Sequence, residues 1–163
     1  MISKVLAWIL PKPPSRRSLS PVFDKNPDAV AAIRFERIAN LSGDWTIIEW
    51  SAQPMLANSH VAYRRAREST FRKSERSCDI SVFERLLADI ERLDTPPITN
   101  FTRPVRDGTR DFISWGNRVD FRFVTFTLPI EGEARQSLSD LIMKSVLSQL
   151  KELRGEEIQR SDK

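Results

Sequence analysis

Residues Asp107–Leu153, DGTRDFISWGNRVDFRFVTFTLPIEGEARQSLSDLIMKSVLSQLKEL, contain the pattern that decides the fold. The first half predicts a β-hairpin, because Asp107-Gly108 opens a strand that continues through Phe112, Ile113 and Trp115. The pair Gly116-Asn117 predicts a two-residue turn, since glycine accepts the positive φ that a type II′ turn requires at its first central position. The hairpin is therefore expected to be tight.

The return strand of this hairpin is expected to show one face to a core and the other to water. Val119, Phe121 and Phe123 alternate with polar residues, which is the two-residue period of a half-buried strand. From Phe123 onward, apolar residues occupy both parities. Either both faces are covered there, or a bulge shifts the register.

The second half of the stretch predicts one long amphipathic helix. Its apolar residues recur at three- and four-residue spacing, which places them in a single stripe. Gly155 is expected to cap the C-terminus. The members of the stripe are Leu138, Leu141, Ile142, Val146, Leu150 and Leu153.

The preceding part of the chain predicts more strands and a second helix. A strand at about 31–39 is favoured over a helix, paired with a strand at 44–53, and a third strand begins near Ser59. Ser81-Val-Phe-Glu84 resembles a capping box that opens a helix, and Thr95-Pro96-Pro97 stops it. The expected fold is α+β, an antiparallel sheet with two amphipathic helices on one face, in the order strands, helix, hairpin, helix.

The domain organisation follows from composition. Residues 1–29 combine an apolar N-terminus with a Pro- and Ser-rich segment, which predicts an extended, mobile arm up to about Pro27. A single α+β domain is expected over 30–155 and a charged tail over 156–163. The apolar run Val5–Leu10 is too short for a membrane helix or a signal peptide, so a cytoplasmic protein is expected, with Ile2–Leu10 as a segment that could touch a membrane or a partner.

The sequence offers few residues for catalysis or metal binding. With one histidine, His60, and one cysteine, Cys78, it has no internal disulfide and no zinc site, and no phosphate-binding glycine loop is present. We therefore expect no catalytic residues, no metal and no cofactor. A hydrolase that uses Asp107, Asp111 and Asp120 is an alternative, although the arginines between them favour cross-strand ion pairs.

The charge is concentrated in one segment. Between Tyr63 and Arg76 there are six bases and two acids, which gives +4 and equals the excess of the whole chain. Such a strip suits nucleic acid or an acidic protein surface, whereas the simpler interpretation is an edge strand protected by charge. Trp45 and Trp50 are expected on opposite faces of a strand, and Trp115 at a rim. The candidate partner-binding residues are Arg64, Arg65, Arg67, Phe71, Arg72, Lys73, Trp50 and Trp115.

The layout resembles that of small bacterial inhibitor and immunity-type proteins. The resemblance is carried by Ile33-Arg-Phe-Glu-Arg37 before the Ser42-Gly43 turn, by Asp107-Gly108, and by the helix from Leu138. It implies a non-catalytic module that binds and neutralises a toxin or effector protein. A nucleic-acid-associated protein that uses residues 64–76 is the alternative, and an open sheet edge would also allow two copies to pair.

Overall fold

A computed structural model describes residues 18–39, 42–93, 108–128 and 133–155. They form one antiparallel six-stranded sheet with the strand order β4-β3-β2-β1-β5-β6, together with four helices. The predicted α+β class is confirmed. The elements are α1 (Ser20–Lys25), β1 (Ala31–Ala39), β2 (Trp45–Ala52), β3 (Leu56–Arg64), β4 (Arg72–Asp79), α2 (Ile80–Arg92), β5 (Thr109–Gly116), β6 (Phe121–Leu128), α3 (Glu133–Ser145) and α4 (Leu147–Arg154).

The main core lies between one face of the sheet and helices α2, α3 and α4; we call this the helix face. Ile33 and Phe35 of β1 and Ile113 of β5 are fully buried there. The predicted stripe of the C-terminal helix covers them, with Leu138 and Ile142 also fully buried. The hairpin and the helix that follows it thus pack together, as the sequence predicts.

The opposite face of the sheet carries α1, and we call it the α1 face. Val22 and Phe23 of α1 are buried in a small second cluster with Ala32 of β1. Pro21 suits the first turn of this helix, because its fixed φ is helical and its missing N–H would have no partner there. The expectation of an extended arm is therefore wrong for Ser20–Lys25, where burial of two large side chains outweighs the Pro- and Ser-rich composition. Residues 1–17, which include Ile2–Leu10 and the first part of the predicted arm, lie outside the described residues.

The ambiguous segment 31–39 is a strand, as favoured from its sequence. It pairs on one side with β2 and on the other with β5. The third strand begins at Leu56, three residues before the predicted start. Helix α2 begins at Ile80, and Asp79 accepts a hydrogen bond from the Ser81 backbone N–H (2.8 Å), so the predicted capping box is wrong by two residues.

The β5–β6 hairpin differs from its prediction in its turn and in its buried face. Gly116 pairs with Phe121, which leaves a four-residue loop, Asn117–Asp120, instead of a two-residue turn. The Asn117 side chain accepts hydrogen bonds from the backbone N–H groups of Val119 and Asp120, and this local Asx geometry stabilises the longer loop. Val119 is 94 % exposed in the loop.

The buried face of β6 is the one that carries Val124. Val124 pairs with Ile113 and is buried, whereas Phe121 and Phe123 point to the α1 face and are 39 % and 37 % exposed. The expectation that Phe121 and Phe123 face the core is therefore wrong. The β5–β6 pairing is regular from end to end, so no bulge shifts the register.

Replacing Gly116 with Ala is expected to destabilise the protein by about 1–3 kcal/mol. Gly116 has φ 138°, and a Cβ there would lie 2.4 Å from the Asp120 carbonyl oxygen and 2.7 Å from the Phe121 Cα. Gly155→Ala is the matched control, because Gly155 has φ 71° but open space around a Cβ. Urea unfolding compares the two, and a Gly116→Ala variant no less stable than Gly155→Ala would contradict this assignment.

The C-terminal helix is interrupted at Val146, so the prediction of one long helix is wrong in this respect. Before the break, the Ser145 hydroxyl donates to the Ile142 carbonyl (2.7 Å) and accepts from the Trp50 indole N–H (3.2 Å). A serine that bonds back to the preceding turn bends a helix. Val146 itself stays buried, and Gly155 caps α4 in the left-handed conformation as expected.

Candidate functional site

Several arginines of the basic strip, residues 63–76, form hydrogen bonds or ion pairs with α4. Arg65 donates to the Arg154 carbonyl and Arg72 to the Leu153 carbonyl, both at 3.1 Å. Arg76 donates to the Ser148 hydroxyl (2.8 Å) and to the Glu152 carboxylate (2.9 Å). Carbonyls at a helix C-terminus have no partner within the helix, and cations there are favoured by the helix dipole. These arginines therefore hold α4 on the sheet.

The remaining members of the strip point elsewhere. The Arg64 guanidinium lies 5.1 Å from the ring centroid of Trp45 and 5.0 Å from that of Phe71, in a cation–π stack on the α1 face. Arg67 and Lys73 are exposed. The structure thus divides the strip into three parts. One part stabilises α4, Arg64 is half-buried in the aromatic stack, and Arg67 and Lys73 are available to solvent.

The two tryptophans among the predicted partner-binding residues are buried. Trp50 and Trp115 are 3 % and 4 % exposed and belong to the main core. Trp45 lies on the face opposite Trp50, as expected from their spacing, and is half-buried. The placement of Trp115 at an exposed rim is wrong, because β5 directs its ring toward the helix face.

The hairpin aspartates do not come together. Asp111 is fully buried and accepts two hydrogen bonds from Arg37 (2.8 and 2.7 Å) and one from the Ser139 hydroxyl (2.6 Å). Asp120 is exposed in the hairpin loop. The part of β5 between Asp111 and Gly116 alone spans about 17 Å, so the two carboxylates are far apart. Carboxylates that cooperate in glycoside hydrolysis lie within about 10 Å of each other. Asp107 lies outside the described residues.

Cys78 and His60 are on opposite faces of the sheet. Cys78 pairs with Ala57 and packs against the core on the helix face, whereas His60 pairs with Glu49 on the α1 face. Burial, together with the charge of Asp79, raises the pKa of the Cys78 thiol. A thiol of this kind is a poor nucleophile, since the thiolate is the reactive form.

A cluster of charged side chains crosses the middle of the α1 face. Glu49 is 5 % exposed, and its carboxylate lies 2.5 Å from the Lys25 Nζ and 3.4 Å from both the Arg34 Nε and the His60 Nδ1. Burial raises the pKa of Glu49, but the contacts with His60, Lys25 and Arg34 outweigh it and lower the pKa to about 2. Lys25 belongs to α1, so this cluster fastens α1 to the sheet.

Replacing Glu49 with Gln is expected to remove a pH-dependent part of the stability. A pKa lowered from 4.5 to about 2 corresponds to about 3 kcal/mol that is present above pH 4.5 and lost as the pH falls toward 2. Urea unfolding of the wild type and of Glu49→Gln, measured between pH 7 and pH 2, should give curves that converge at low pH. Glu75→Gln, on the same face but exposed, is the control. Parallel curves for wild type and Glu49→Gln would contradict the assignment.

The two outer strands of the sheet differ in chemistry. Strand β4 carries five charged residues in eight: Arg72, Lys73, Glu75, Arg76 and Asp79. Strand β6 carries one, Arg122, in eight. Among the described residues, no strand pairs with the outer edge of either. The simpler interpretation of the basic strip, an edge protected by charge, suits β4, but β6 has no such protection.

The β6 edge is a candidate binding surface that the sequence analysis did not identify. Its exposed apolar residues are Val119, Phe121 and Phe123, all within the hairpin or its loop. Their alternation was visible in the sequence, but it indicated burial because alternation alone does not say which face is covered. Only the pairing of β6 with β5 decides the face.

Within the described residues, no group of His, Cys, Asp or Glu is arranged to hold a metal ion, and no helix is both long and apolar enough to cross a membrane. Comparison with known proteins found no family model that matches the chain and no curated protein that matches it.

Proposed function

We propose that the chain is a non-catalytic protein-binding module that captures an extended segment of its partner along the edge of β6. The observation that carries the proposal is the contrast between the two sheet edges. Charged residues fill β4, whereas β6 has one charge and exposes two phenylalanines. Natural sheets protect the edges that must not pair with another chain, so an edge without such protection favours pairing with a partner.

Strand addition explains how such an edge would bind. An added strand gains main-chain hydrogen bonds from the outer edge of β6, and its side chains meet the side chains of β6 on both faces. On the α1 face, Phe121 and Phe123 offer apolar contacts to alternate residues of the partner. On the helix face, Val124 is already buried. The phenylalanine side is therefore where the partner adds most apolar burial.

The partner class proposed here is a toxin or effector that the protein neutralises, as the layout of the sequence suggests. Nucleic acid is less well supported, because Arg65, Arg72 and Arg76 are engaged with α4. A second copy of this chain is the other protein that β6 could pair with. These alternatives are separated by experiment.

The test is a pull-down from native cells with wild type, Phe123→Lys and Val82→Lys as tagged baits, after nuclease treatment. Val82 is a matched control, because it is apolar and 44 % exposed on α2. The proposal predicts one stoichiometric protein retained by wild type and Val82→Lys and released by Phe123→Lys. A protein retained equally by all three baits, or nucleic acid shed by salt, would contradict it. Sedimentation of the purified protein shows whether a second copy occupies the edge.

A further inference from the structure

A groove lies at the hairpin end of the sheet, between α2 and the β5–β6 hairpin, and we call it the corner groove. The groove is open to solvent and has a volume of about 580 Å³. Its more buried wall includes Ala31, Leu87 and Trp115, and its exposed rim includes Glu91, Asp120 and Arg122. Binding sites for small groups range from about 300 to 1,000 Å³ and combine apolar walls with a few polar groups. The volume of the corner groove lies within this range, and its lining contains both apolar and charged residues.

The charged side chains at the rim have no ion-pair partner within the part of the chain that the structure describes. Among the described residues, Glu91, Asp120 and Arg122 form no ion pair, although two are acids and one is a base. One base minus two acids gives a local charge of −1. Unpaired carboxylates from two different elements, α2 and the hairpin loop, favour a cationic occupant.

The apolar wall contains a second unsatisfied group. The indole N–H of Trp115 is buried and has no acceptor among the described residues. A buried donor without a partner costs about 1–3 kcal/mol.

The position of the groove connects it to β6. Trp115 pairs with Arg122, and Gly116 pairs with Phe121, so the groove lies beside the first residues of β6. We propose that the corner groove receives a lysine or arginine side chain from the partner segment that adds to β6. Its alkyl stem packs on Trp115 and Leu87, and its charge meets Glu91 and Asp120. This inference rests on the proposed function and names the chemistry of the partner.

The test uses acetyl-arginine methylamide as the probe and acetyl-citrulline methylamide as its uncharged match, titrated into the full-length ¹⁵N-labelled protein. We expect the Trp115 indole N–H resonance to shift and the arginine probe to bind at least about threefold more tightly, the size of one or two exposed ion pairs. The double variant Glu91→Gln/Asp120→Asn should remove the difference between the probes. Both residues are exposed, so the fold should persist.

Two results would overturn the groove proposal: equal binding of the two probes to wild type, or a preference for arginine that survives the double variant. Because the probes are single residues, they do not depend on strand addition to β6. If they fail while Phe123→Lys still releases the partner in the pull-down, the groove proposal is wrong and the proposed function stands. If they succeed while Phe123→Lys retains the partner, the edge is wrong and the groove remains a binding site for basic side chains.

Discussion

Replacing Asp111 with Ala is expected to destabilise the protein by about 3–5 kcal/mol, the largest effect of a single substitution considered. Asp111 is fully buried between β5 and α3, and Arg37 binds both of its oxygens. The substitution leaves the Arg37 guanidinium, whose side chain is only 21 % exposed, without the carboxylate that forms its ion pair. It also removes the acceptor of the Ser139 hydroxyl. Urea unfolding at pH 7 measures the loss.

The double variant Arg37→Met/Asp111→Leu separates the two causes of this loss. Removing both charges leaves no uncompensated ion, so the double variant should recover much of the stability that Asp111→Ala loses. A further control is Asp120→Ala, which alters an exposed aspartate of the same hairpin. An Asp111→Ala variant within about 1 kcal/mol of wild type would mean that the buried pair has little energetic importance.

The second large effect concerns binding. The double variant Phe121→Lys/Phe123→Lys is expected to weaken the affinity for the captured partner by about 100-fold or more. Each phenylalanine would lose apolar contact with the added strand and introduce a charge at the edge, and an anchor of this kind contributes about 2 kcal/mol. Two such losses exceed the 2.8 kcal/mol that corresponds to 100-fold.

The purified partner, titrated by calorimetry, measures this change. Each phenylalanine is 37–39 % exposed, so part of its surface is packed in the protein itself, and urea unfolding must show that the double variant is still folded. Val82→Lys again serves as the control. Unchanged affinity in the double variant, with the fold intact, would remove β6 from the binding surface.

The local parts of the fold were predictable from the sequence. The strand at 31–39, the apolar stripe from Leu138 to Leu153 and the Gly155 cap depend on residue spacing and on glycine conformation, which are properties of short segments. The opposite faces of Trp45 and Trp50 follow from the same geometry. These expectations are confirmed.

What could not be predicted depends on contacts between distant segments. Asp111 pairs with Arg37, which is 74 residues away, and no local pattern favours it over the nearby arginines of the hairpin. Helix α1 forms because Val22 and Phe23 are buried in an apolar cluster against the sheet, which the Pro- and Ser-rich composition of the segment does not reveal. The charged cluster around Glu49 arises from three neighbouring strands and α1, so it appears only when the register is known.

The candidate site illustrates the same limit. The sequence indicated the bases between Arg64 and Lys73, yet Arg65 and Arg72 bind the end of α4, at residues that are 89 and 81 positions later in the chain. Phe121 and Phe123 were expected in the core because their alternation is the same for a buried and an exposed face. The excess of charge on one edge strand and its near absence on the other became informative only when β4 and β6 were placed at the two ends of the sheet.

Amide hydrogen exchange of the protein with and without its captured partner tests the central proposal most directly. Strand addition predicts new protection of backbone amides in Phe121–Leu128, because the outward N–H groups of β6 would donate to the partner, with little change in Arg72–Asp79 at the other edge. Protection that appears in β4 and leaves β6 unchanged would contradict the proposal and assign binding to the basic strip.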